Sequence, residues 1–309
     1  MRGITAVVAI SSVLCVSVVC SCRSASSSAE PASGPAAVAT PPALHHVYEA
    51  TSGVYSGAAP KGEEAFEALR AMGVRTVISV DGARPEVELA EAKGLRYAHV
   101  PIGYDGVDAE ATAQLARALR DAEGPVYVHC HHGKHRGPAA AAAGLIALGR
   151  IDADRGVRLL EASGTSPAYP GLWASVRECE PLGTEEIEGA AAAPSVAPVG
   201  GFVAGMAIID RAWDNLKLCR EAAWGAPSDH PDLAPASEAG IVADTLRQLN
   251  ESAEVRDQPE DFVAMMLESQ AQASRLEGLI VGGAGRAEVE AAFAELGATC
   301  KACHVVYRN

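Results

Sequence analysis

The chain is short of basic residues. Lys and Arg number 25 against 39 Asp and Glu in 309 residues, a formal net charge of −14. A dedicated nucleic-acid binder neutralises phosphates with cations, so the acid excess argues against that class. Away from the N-terminus no apolar run reaches the roughly 18 residues of a membrane span. Glycine and proline, 30 and 18 residues, fall well below the roughly 25–30% that marks low-complexity chains. Hydrophobic residues make up 49%, enough for a core, and the length is that of about two domains.

The N-terminus has the layout of an export signal. Arg2 precedes a mostly apolar run to Val19, after which the composition turns small and polar. Val19-Cys20-Ser21-Cys22 resembles a bacterial lipobox, with Cys22 as the lipidated residue and Cys20 unusual for the pattern. Residues 1–22 are thus expected to be a signal peptide of lipoprotein type, placing the protein in the periplasm or cell envelope with a lipid anchor to the membrane. An ordinary cleaved signal and an uncleaved anchor are the alternatives. Residues 23–42 are Ser/Ala/Pro-rich without hydrophobic period, the composition of a disordered tether. A second Ala/Pro/Gly-rich stretch, 183–200, reads as a linker between domains at 43–182 and 201–309.

The first domain alternates strand and helix signals. Val74–Val80, Leu95–Ile102 and Val126–Val128 are near-continuous apolar strands. Helices are expected at Glu63–Met72, Pro85–Lys93, Asp108–Asp121, Gly137–Leu148, Asp152–Ala162 and Gly171–Cys179. Repeating βα units with buried strands predict an α/β domain on a parallel sheet. The second domain has no convincing strand. Apolar faces at 201–222, 238–252, 260–281 and 286–305 predict an all-α four-helix bundle.

Two clusters carry chemistry. The first, His129-Cys130-His131-His132-Gly133-Lys134-His135-Arg136-Gly137, follows a buried strand and opens a helix. Such a loop aims backbone N–H groups and a helix N-terminus at one point. Those dipoles and the nearby cations favour the thiolate form of a cysteine there. An Arg six positions on can return to clamp an anion. The run matches the HCxxGxxR loop and resembles the protein tyrosine phosphatase superfamily, its dual-specificity branch most, over about residues 45–180. The resemblance implies a phosphocysteine intermediate on Cys130. His131, His132, Gly133, Lys134, His135 and Arg136 would bind phosphate. An Asp would serve as general acid, for which Asp105 is the candidate and Asp108, a plausible helix cap, the runner-up. The family usually has Ser or Thr after the Arg, where this chain has Gly137, and that departure puts rapid turnover in doubt. The sulfurtransferase reading is disfavoured because its loop is usually one residue shorter. The many basic side chains of the loop form a local positive funnel, which favours a multiply charged phosphorylated small molecule over a phosphoprotein.

The second cluster, Cys300-Lys301-Ala302-Cys303-His304, is the attachment sequence of a c-type haem. On a helix these three positions share a face, so two thiols can form thioethers with the haem vinyl groups while the imidazole binds the iron from the same side. The position on a last helix and the continuation Val305-Val306-Tyr307-Arg308 resemble cytochrome c′, a class II c-type cytochrome, over about 201–309. That likeness implies covalent haem c, a redox partner protein or a bound small gas, and often a homodimer. It also puts Met206 of the first helix opposite His304 as a sixth ligand or as packing. Cys179 and Cys219 are expected to be buried thiols. The sequence therefore reads as an exported bifunctional protein, a cysteine-dependent phosphatase joined to a haem domain. In the alternative the first domain is a non-catalytic anion-binding scaffold for a haem electron carrier. A third reading, motivated by the fusion alone, has the haem domain tuning the phosphatase.

Overall fold

A computed structural model describes residues 34–198 and 200–308, together with Met1 and Gly3. The expected signal, the lipidation residue Cys22 and most of the tether lie outside the described residues. Strands β1 (Ala36–Ala37), β2 (Tyr48–Thr51) and β3 (Val54–Ala58) are followed by helix α1 (Gly62–Ala71), β4 (Thr76–Ser79), α2 (Val87–Ala92), β5 (Arg96–His99), α3 (Ala109–Asp121), β6 (Val126–Cys130) and α4 (Arg136–Ala147). Helices α5 (Ala153–Ala162), α6 (Pro170–Arg177) and α7 (Thr184–Gly189) complete the first half.

The sheet order is β1-β2-β3-β6-β4-β5. Strands β3, β6, β4 and β5 run parallel, but β1 and β2 are antiparallel to their neighbours. The wholly parallel sheet expected from the βα pattern is corrected to a mixed one. The reason is local: Gly53, with φ at +75°, turns β2 back into β3 without a crossover helix, and a tight turn can join only antiparallel strands. Only residues 34–42 of the expected tether are described. Its residues 36–37 pair with Tyr48 and Glu49, and Thr40 Oγ1 donates to Leu44 O at 3.1 Å.

Alternation along the strands divides the core between two faces. Val77 and Tyr127 join Phe66, Leu69 and Val87 under α1 and α2. Ile78 and Val128 join Leu115, Leu119, Leu145 and Leu159 under α3, α4 and α5. Every residue of α4 is buried. Its Ala- and Gly-rich sequence permits this, since a Cβ on Gly144 would stand 2.7 Å from Leu119 Cδ1. Small residues there let α3 and α4 approach closely, and together they hold the start of α4 against the C-terminal ends of β3 and β6.

The 183–200 stretch is held down rather than loose. It contains α7, whose Ile187 is buried, and its backbone borders β5: His99 N donates to Pro194 O at 2.7 Å and Ala197 N to His99 Nδ1 at 3.0 Å. Beyond it the chain is helical. Long helices α8 (Phe202–Glu221), α9 (Pro235–Asn250), α11 (Glu260–Val281) and α12 (Arg286–Tyr307) are joined by loops and the short α10 (Ala253–Arg256). Helix α9 starts three residues earlier than its apolar pattern indicates, because Pro235 occupies a first-turn position that needs no N–H donor. Ile209, Leu216, Val242, Leu246, Phe262, Leu276, Phe293 and Leu296 form the shared interior. No helix among the described residues is long and apolar enough to cross a membrane.

Asp152 caps α5 by accepting from Arg155 N at 2.7 Å. Asp152→Ala is expected to lower stability by about 1 kcal/mol in urea unfolding, and Asp152→Asn to restore most of it. Equal stability of all three would show that the cap contributes nothing.

Candidate functional site

Cys130 ends β6 at the carboxyl edge of the parallel strands, where α/β sheets bind ligands. Its neighbours are set by a backbone that only glycine permits. Gly133 has φ at +72°, and a Cβ there would stand 2.3 Å from Ala58 N. The loop thus folds tightly over the end of β3, with Ala59 N donating to His131 O at 3.2 Å and Thr165 Oγ1 to Lys134 O at 2.6 Å. Helix α4 begins at Arg136 without a side-chain cap. None of the backbone N–H groups from His131 to Arg136 donates to another protein group among the described residues. A ring of unpaired donors at a helix N-terminus is a receptor for an anion.

Arg136 is 2% exposed. Its guanidinium lies 4.5 Å from the centre of the Tyr104 ring, and Nη1 donates to Ile102 O at 3.4 Å. Nε and Nη2 have no hydrogen-bond partner, although Nη2 is 3.8 Å from Asp81 Oδ1. Those two nitrogens form the side-on fork that takes two oxygens of a phosphate or carboxylate. Nη1, however, also donates to Asp244 Oδ2 of α9 at 2.9 Å. Arg247, one turn along α9, reaches Asp81 at 2.5 Å and Asp244 at 2.6 Å. Burial alone would push the Asp81 carboxyl up, but Arg136 and Arg247 hold it well below the usual carboxylate range.

The structure brings Cys130, Arg136 and the loop together but leaves Asp105 exposed. Asp105 follows Tyr104 at the rim, its Oδ1 lying where a Cβ on Gly103 would stand, and no contact joins it to Cys130 or Arg136 among the described residues. Asp108 caps α3, accepting from Ala111 N at 2.8 Å. Gly137 packs against Cys130: a Cβ there would be 3.5 Å from Cys130 Sγ and 3.3 Å from Ser56 Oγ, a fully buried hydroxyl without a partner.

The expected positive funnel needs correction. His131 and His135 are each pushed down to about 4, and His132 is lowered, with burial the first cause for all three. His129, whose Nε2 lies 2.6 Å from Tyr97 Oη, is likewise pushed by burial to about 4. At neutral pH these imidazoles are uncharged, so the loop's positive charge rests on Arg136 and Lys134. Sequence reasoning missed Asp81, Tyr104, Asp244 and Arg247. Asp81 had a weak signal, as a polar residue just past an apolar strand. The α9 residues had none, since Asp and Arg on a helix ordinarily mark a solvated face.

The second cluster lies in the helical region. Cys300, Cys303 and His304 line one side of a cavity of about 790 Å³, with Met206, Phe262 and Met266 among its other walls. Both cysteines are free, and burial raises both thiols. The donor set and the largely apolar wall fit a haem, with Lys301 and Arg308 at the margin. Met206 shares the cavity with His304. Among the described residues no group of three or more His, Cys, Asp or Glu stands ready for a bare metal ion. Cys219 is buried, and Cys179 is half-buried with its thiol directed at Ala143 O at 3.5 Å.

The lowered histidines give a pH dependence. On unfolding their values return to about 6.5, so between pH 6.5 and about 4 the unfolded chain binds more protons than the folded one. Stability present above pH 6.5 is therefore lost as pH falls through that window. Urea titrations across it should show the decline, and His135→Asn should remove about one proton from the slope. An unchanged slope would show that His135 titrates normally in the fold.

Comparison with known proteins agrees with the two clusters. The family model described as a polymorphic toxin system DSP-PTPase phosphatase matches residues 51–150, and that of Cytochrome C′ matches residues 242–308. The structure of P. aeruginosa TpbA is 25% identical, covering 48% of this chain and 92% of that one with a TM-score of 0.41. A Cys-to-Ser variant of TpbA in complex with phosphotyrosine is also 25% identical, covering 48% and 91% with a TM-score of 0.41. Human DUSP28 is 24% identical, covering 47% and 97% with a TM-score of 0.35. No curated protein matches the chain. One polypeptide thus joins a segment similar to the DSP-PTPase phosphatase model to a segment similar to the Cytochrome C′ model.

Proposed function

We propose that the chain is an exported phosphomonoester hydrolase using Cys130, joined to a four-helix bundle that carries covalent haem c. The observation that carries the first half is the set of unpaired donors around Cys130: the loop N–H groups and the Nε and Nη2 of buried Arg136. These would hold the equatorial phosphoryl oxygens, where charge develops in the transition state. The Cys130 thiolate attacks phosphorus, the phosphorus–oxygen bond to the leaving group breaks, and the leaving oxygen takes a proton. Asp105 is the proposed donor, because its loop also carries the Tyr104 ring that lies over Arg136. Water then attacks the phosphocysteine, restoring the thiolate and releasing inorganic phosphate. Substrate is a phosphorylated small molecule or phosphoprotein.

In the bundle, Cys300 and Cys303 would attach haem c and His304 would ligate its iron, with Met206 of the same cavity as a further candidate ligand. The group supplies one-electron transfer or binding of a small gas. The protein's own part is to exclude water with Phe262, Met266 and Trp213 and to place Arg308 at the cavity edge. A redox partner protein and a homodimer go with this reading, as do export and a lipid anchor at Cys22. A second reading, a non-catalytic scaffold, is favoured by Gly137 beside Cys130 and by the carboxylate of Asp244 on Arg136.

Phosphate release separates the two. Wild-type protein should hydrolyse p-nitrophenyl phosphate, with phosphotyrosine and inositol phosphates compared alongside, and Cys130→Ser should lose at least about 100-fold in kcat. Equal rates in both proteins would rule out Cys130 catalysis. Pyridine haemochrome spectra of protein denatured in acid acetone should retain haem in the wild type and lose it in Cys300→Ala/Cys303→Ala. Extraction of all haem from the wild type would rule out covalent attachment.

A further inference from the structure

Helix α9 is buried on both sides. Val242 and Leu246 face the cavity beside Cys300, Cys303 and His304. On its other side Asp244, Arg247 and Gln248 enter the Cys130 site. Asp244 is only 11% exposed in its side chain, and its two oxygens are fully used, by Arg136, Arg247 and Gln248 Nε2, the last at 2.9 Å. The docking extends beyond this carboxylate. Ser237 Oγ donates to Tyr104 O at 3.3 Å, Tyr169 Oη donates to Glu277 of α11 at 2.6 Å, and Gly240 lies so close that a Cβ would sit 3.2 Å from the Tyr104 ring.

Within this contact two guanidinium groups, Arg136 and Arg247, meet the buried carboxylates Asp81 and Asp244, and Arg247 also holds the more exposed Glu251. Buried ions are tolerated only when paired in this way. A phosphate dianion on the open Nε and Nη2 of Arg136 would add two negative charges beside Asp244, which is held on the same guanidinium. Like charges at that range in a buried site repel strongly. Asp244 and a bound phosphate therefore compete for the charge of one guanidinium.

We propose that Asp244 is a built-in competitor for the anion site: α9 closes the Cys130 loop with a carboxylate in the guanidinium, and a phosphorylated ligand binds by displacing it. This rests on the reading of the Cys130 loop as a phosphate site and adds its regulation. Because α9 also walls the cavity, its displacement changes both sites together.

The test is calorimetric binding of inorganic phosphate and of orthovanadate to the full chain, with hydrogen exchange of residues 235–250 as a second readout. Asp244→Asn, which keeps shape and removes charge, should tighten both anions by roughly tenfold or more. Gly240→Leu, which wedges α9 away from Tyr104 and leaves Asp244 intact, should tighten them in the same direction. In wild-type protein, added phosphate should speed exchange in 235–250. Equal or weaker binding by both variants, with Cys130-dependent hydrolysis still present in the wild type, overturns the competitor and leaves the phosphatase reading standing. Absence of anion binding in all three proteins overturns both.

Discussion

A guanidinium sealed from water must be answered by negative charge, and the surroundings of Arg136 follow from that requirement. Taking an ion out of water costs several kcal/mol unless partners replace the lost hydration. Arg136 obtains partial compensation from Asp81 on the sheet side, from Asp244 on the helical side and from the Tyr104 ring above it. Arg247 then balances the two carboxylates. Two nitrogens of Arg136, Nε and Nη2, still lack an acceptor. Arg136 is therefore paired yet unfinished at Nε and Nη2, a state suited to accept an anion and costly to leave alone.

The same requirement explains why α9 is unlike an ordinary surface helix. A surface helix buries one stripe and solvates the other. Helix α9 buries an apolar stripe against α8 and α11 and a charged stripe against the Cys130 loop. Its two faces thus connect a cavity lined by Cys300, Cys303 and His304 with the buried Arg136. Coupling between the clusters needs no long path, because they share one helix as a wall.

Much of the fold was legible in the residues. Apolar strands at Val74–Val80 and Val126–Val128, the N-cap at Asp108, and the four long helices of the C-terminal half all follow local pattern. Departures occurred where pattern was thin or misleading. Ala36–Ala37 has no strand signature and pairs only because the β2 edge is open to it. The 183–200 stretch looked like a loose linker from composition, but Ile187 finds a buried seat and Pro194 O finds His99 N. The loop histidines read as cations because type reveals nothing of burial. Once desolvated they are neutral, and only Arg136 and Lys134 keep charge.

The sequence alone determined the two reactive clusters, since Cys130 to Arg136 and Cys300 to His304 are contiguous and their spacing follows from one loop and one helix. A seven-residue turn at a helix start or little more than one turn of helix can bring such groups together without help from distant parts of the chain. What tertiary structure decided is which charges meet them. Asp81 from the sheet and Asp244 from α9 converge on Arg136, with Arg247 of α9 pairing both carboxylates, and nothing in their local pattern distinguishes them from solvated surface residues. Their roles exist only after packing has removed water, because the strength of an ion pair is set by burial and not by residue type.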